Sequence, residues 1–106
     1  MIFQNEKYVE LNIDKARNQV GSLKIDAIYA LLDSCKEHSK PICIGSLNCI
    51  QLGDLCKKGS RVVGVGSHLH LHDAFAYWVV FQWCLSNEWE MYVEDPEISY
   101  HIHKVL

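Results

Sequence analysis

The chain has 106 residues, 49% of them apolar and 22% charged, with a formal net charge of −3. That composition predicts a single globular domain over residues 1–106 and excludes a disordered polymer, which would carry more charge and fewer aromatics. A pI near 6.0 and the absence of Lys or Arg from 62 to 103 argue against a nucleic-acid partner, because phosphate contacts need those cations.

In chain order, Val9, Leu11 and Ile13 alternate with polar neighbours and predict a short strand over 8–13. Asp14 is placed to cap a brief helical turn ended by Gly21. Ile25, Ile28, Tyr29, Leu32 and Cys35 then recur at helical spacing, so one main amphipathic helix is expected over about 22–38, capped by Ser22 and ended before Pro41. Residues 41–45 (PICIG) read as a short buried strand. Residues 46–58 fit either a helix interrupted by Gly53 or an irregular connector.

From Arg61 the apolar period changes to two. Residues 61–65 and 68–72 flank Gly66-Ser67, a pair suited to a type II′ hairpin turn. The run Phe75 to Cys84 is rich in aromatic and β-branched residues and favours a strand. A helix capped by Asp73 is the alternative, since periodicity alone does not separate the two in so apolar a run. Phe75, Trp78, Val80, Phe81 and Trp83 are expected to form much of the core. Trp89, Met91 and Val93 alternate with Glu90, Tyr92 and Glu94 as a strand with one wet face, and residues 100–106 alternate again. The sum predicts an α+β fold: the main helix packed on a mostly antiparallel sheet drawn from the C-terminal half.

The five cysteines are odd in number and contain no C-x-x-C pair, which predicts reduced, mostly buried thiols rather than a disulfide framework. The longest apolar run, 74–85, is too short for the roughly 20 residues of a membrane span. The N-terminus has no signal-peptide pattern. A cytoplasmic protein with no membrane partner is the expectation.

Two constellations carry the functional expectations. Glu88, Glu90, Glu94, Asp95 and Glu97 fall close together with no intervening base, beside Trp89, Tyr92 and Tyr100. Carboxylates flanked by large aromatics suit a basic protein partner. The pattern predicts a small cytoplasmic inhibitor without catalysis or cofactor of its own. An immunity protein that occludes the basic cleft of a bacterial toxin, a nuclease for example, is its concrete form. The alternative is a metal-binding protein or small metalloenzyme. His68, His70 and His72 alternate and are closed by Asp73, and His101 and His103 repeat the H-x-H spacing, which in a strand sets imidazoles on one side at chelating distance. A homo-oligomer paired through an exposed sheet edge is a third arrangement.

Overall fold

The computed structural model describes residues 2–4, 6–45, 47–66 and 73–93. Along them run β1 (Ile2–Gln4), β2 (Val9–Leu11), α1 (Asp14–Arg17), α2 (Gly21–Lys36), β3 (Ile42–Ile44), α3 (Cys49–Lys57), β4 (Val62–Val65), α4 (Ala74–Asn87) and β5 (Glu90–Val93). The strands form one sheet in the order β1-β2-β3-β4-β5. Only β1 and β2 pair antiparallel; β2 to β5 are parallel, with Val9 opposite Ile42, Ile42 opposite Val63, and Val63 opposite Met91.

This overturns the expected antiparallel sheet, and the reason lies in α4. Residues 75–84 are helix, not strand, so the chain from β4 to β5 includes a crossover helix, and parallel pairing follows. The hairpin expected between 61–65 and 68–72 fails on the same ground. Both edges of β4 are already taken, by β3 and β5, which leaves no side for a third partner; residues 67–72 themselves lie outside the described ones.

Strand burial fits a parallel sheet covered on both faces. Ile42, Cys43 and Ile44 are all buried, as are Val62 to Val65. Val9, Leu11, Ile42, Ile44, Val63, Val65 and Met91 point to one face and pack with Ile28, Leu32 and Cys35 of α2 and Ala76, Val80 and Trp83 of α4. Cys43 and Val62 point to the other face and meet Leu55 of α3, with Tyr8, Leu47 and Tyr92 at the margin. The chain steps one way across the sheet while α3 covers the face opposite α2 and α4. The β3–β4 crossover therefore has the opposite hand to its neighbours, and at least one connection is of the rare left-handed kind.

Local chemistry explains the helix limits. The Asn12 side chain accepts the Asp14 N–H at 2.8 Å, so Asn12, not Asp14, sets the start of α1. Starting at Gly21 (φ +57°), α2 lacks a side-chain cap, so the expected Ser22 cap is not used. A reciprocal capping box resolves the ambiguity of 46–58: Asn48 accepts the Gln51 N–H at 2.8 Å, and Gln51 accepts the Asn48 N–H at 3.2 Å. At Asp73 the carboxylate accepts the Ala76 N–H at 2.9 Å and starts α4. Glu88, at φ +60°, ends it.

Gly64 is needed for close approach. A Cβ there would lie 2.9 Å from both Leu55 methyls and 3.1 Å from Leu47. Gly64→Ala is expected to destabilise the fold by about 1–3 kcal/mol, the usual cost of overpacking, read as a lower urea midpoint. A variant as stable as the parent would mean that α3 does not seat on β4 in this way.

Candidate functional site

The parallel helices α2 and α4 are tied together at three levels. Near their N-termini, Lys24 Nζ donates to Asp73 Oδ2 at 2.5 Å, and Arg17 Nε of α1 lies 3.7 Å from the same oxygen. Midway, Trp83 Nε1 donates to Asp33 Oδ1 at 2.8 Å. At the far end Lys36 Nζ donates to Asn87 Oδ1 at 2.9 Å. Lys24 is 7% exposed, and its ammonium also stands 5.5 Å from the Phe75 ring centroid. Burial pushes the Asp73 carboxyl up, but the Lys24 hydrogen bond, the Ala76 N–H and the charges of Lys24 and Arg17 outweigh it and hold it below the ordinary carboxylate range.

The acidic candidates divide between two ends of β5. At its start, Glu88 and Glu90 are exposed. Glu90 meets Lys58 Nζ at 3.2 Å, and that ammonium also stands 5.6 Å from the Tyr92 ring. Arg61 donates to the Asn87 carbonyl at 3.1 Å. Tyr92 is half-buried against the α3-side cluster. Trp89 does not offer itself as an interface anchor: it is 7% exposed and packs edge-on against Trp83, centroids 5.3 Å apart. Glu94, Asp95, Glu97 and Tyr100 follow the opposite end of β5, some 10 Å along the strand, and lie outside the described residues.

His68, His70, His72, His101 and His103 also lie outside them, so the structure does not locate the imidazoles. Val65 pairs with Val93, so β4 and β5 end beside each other at the carboxyl edge of the sheet. Asp73, which sequence reasoning grouped with the histidines, is committed elsewhere: Oδ2 faces Lys24 and Arg17, and Oδ1 accepts the cap hydrogen bond. Among the described residues no three His, Cys, Asp or Glu side chains are grouped to hold a metal ion.

The three buried thiols offer little nucleophilicity. Burial pushes Cys35 and Cys43 up to about 11 and Cys84 up to about 12, so all three are protonated at neutral pH. All five cysteines are free; Cys49 is exposed and Cys56 half-buried.

Sequence reasoning missed the outer face of α4. Phe75 and Trp78, assigned to the core, are 40% and 46% exposed, and Leu85 is 56% exposed. The signal that would have found it is the 3-4-3 spacing of 75, 78, 82 and 85, which puts those four on one side of a helix. No helix of the described residues is long and apolar enough to cross a membrane. No family model matches the chain, and no match was found among curated proteins or solved structures.

Because the folded Asp73 carboxyl titrates below its unfolded value near 4, its stabilisation is present above about pH 4 and is lost as pH falls through the lower folded value. Asp73→Asn keeps a cap acceptor but leaves the Lys24 ammonium buried without its counter-ion. It is expected to cost about 3–5 kcal/mol at pH 7, with the gap to the parent narrowing below pH 4. Urea unfolding at pH 7 and pH 3 measures both; equal losses at the two pH values would refute the ionic account.

Proposed function

We propose that the protein is a small binding protein without catalysis of its own, directed at a basic protein partner. An immunity protein that neutralises a bacterial toxin, in particular a nuclease, is the concrete form of that role. The observation that carries this reading is the corner between α4 and β5, where Glu88 and Glu90 both present carboxylates to solvent. Glu90 is paired, but its contact with Lys58 lies at the surface, and such a pair is worth about 0–1 kcal/mol. An incoming lysine or arginine can take its place.

The chain then supplies Glu94, Asp95, Glu97 and Tyr100 just beyond β5. The exposed carboxylates of Glu88 and Glu90 would stand where substrate phosphates sit in a nuclease cleft, and long-range attraction speeds encounter at low salt.

A second reading, a metal-binding protein or small metalloenzyme on His68, His70, His72, His101 and His103, draws on the adjacency of Val65 and Val93. The two readings separate cleanly. In pull-downs against basic nuclease toxins, capture is expected to weaken with rising salt. The double reversal Glu88→Lys with Glu90→Lys is expected to reduce affinity at least about tenfold, with thermal stability unchanged. Binding indifferent to both would refute the first reading. Stoichiometric zinc, nickel or iron in protein purified without chelator or affinity tag, lost in His70→Ala with His72→Ala, would establish the second in its place.

A further inference from the structure

From Ala74 to Asn87 the sequence AFAYWVVFQWCLSN contains no charged residue. A helix covered on one side by its own fold ordinarily turns charge toward water on the other, and a helix apolar all round is a helix covered all round. In α4, Ala76, Tyr77, Val79, Val80, Phe81, Trp83 and Cys84 face the protein. The residues facing outward are Ala74, Phe75, Trp78, Gln82, Leu85 and Ser86. Phe75 and Trp78 stack there with ring centroids 5.9 Å apart.

The order of these residues names the occupant. Positions 75, 78, 82 and 85 follow the 3-4-3 spacing of a coiled-coil seam, in which the outward knobs of one helix fill the holes of another. That spacing reads the same in both directions, and the outward set is a mirror about Val80: Ala74 with Ser86, Phe75 with Leu85, Trp78 with Gln82. An antiparallel copy of the same helix therefore meets it layer by layer. Phe75 packs on the partner copy's leucine, Trp78 on the partner copy's glutamine, and small residues flank both ends. No charged side chain lies on the seam, so two copies approach without like-charge repulsion. We infer that the outer face of α4 is a two-fold interface on which a second copy of this chain docks antiparallel.

The three large side chains expose roughly 300 Å² per copy, given about 200 Å² for a fully exposed aromatic. That matches the largest apolar patch of an ordinary monomer and falls short of the ~800 Å² per partner in a standard interface. The dimer is accordingly one that dissociates on dilution. Sedimentation velocity over a wide concentration range is expected to show dimer passing to monomer. Trp78→Glu is expected to raise the dissociation constant about thirtyfold or more, as for an anchoring interface tryptophan. Its circular dichroism should match the parent, since Trp78 lies on the outer face of α4. Adding Gln82→Lys sets an ammonium opposite each new carboxylate and is expected to restore the dimer. A chain that stays monomeric throughout, or a dimer that survives Trp78→Glu, would overturn the interface. Failure of Gln82→Lys to rescue would overturn the antiparallel register.

Discussion

The pairing of α2 with α4 is the constraint on which the rest of the molecule depends. Trp83, fully buried beneath it, has one polar atom to satisfy, and Asp33 on α2 accepts from it. Lys24 is buried at the top of the same seam and would be costly there without Asp73. Since Asp73 also starts α4, the carboxylate that neutralises the ammonium also fixes where the second helix begins. The direction of α4 then makes β5 parallel to β4. One charged contact thus links the register of two helices to the topology of the sheet beside them.

What the sequence discloses, and what it hides, follows from where periodicity carries information. The main helix is legible because Ile28, Leu32 and Cys35 face a core while Asp26 and Glu37 face water. The strands at 9–11, 62–65 and 90–93 are legible from a period of two, and that at 42–44 from a short apolar run. The crossover helix is not, because Phe75 to Cys84 is apolar in every direction and its aromatic and β-branched content speaks for a strand. The helix satisfies its own backbone groups, and its crossover is what lets β5 take the second edge of β4. The expected antiparallel arrangement of β4 with β5 failed with that element, and β2 to β4 are parallel because α2 and α3 are crossovers too. The Asn48–Gln51 capping box was present in the sequence and was the local signal that decided the third helix.

The functional residues divide along the same line. Glu88 and Glu90 stand in water as the alternation predicts, while Trp89 belongs to the core because a residue between two outward acids points inward. Asp73 sits beside the histidines in sequence but faces Lys24 and Arg17 in space, a partnership across 49 and 56 positions that no local pattern announces. Phe75 and Trp78 show the reverse error: hydrophobic residues are sent to the interior by habit, and two of the largest lie on the surface.

The sheet lists its strands in the order in which the chain encodes them. Each strand from β2 onward joins a neighbour that was synthesised before it, and none has to be inserted between two already in place. Such a sheet can assemble progressively as it leaves the ribosome, adding one strand and its covering helix at a time. Among the described residues α4 is the last helix to arrive, and it brings Trp83 into the main core. Until then the nascent sheet exposes the apolar face that this helix will cover, so the interval before its arrival is when the growing chain is most exposed to aggregation.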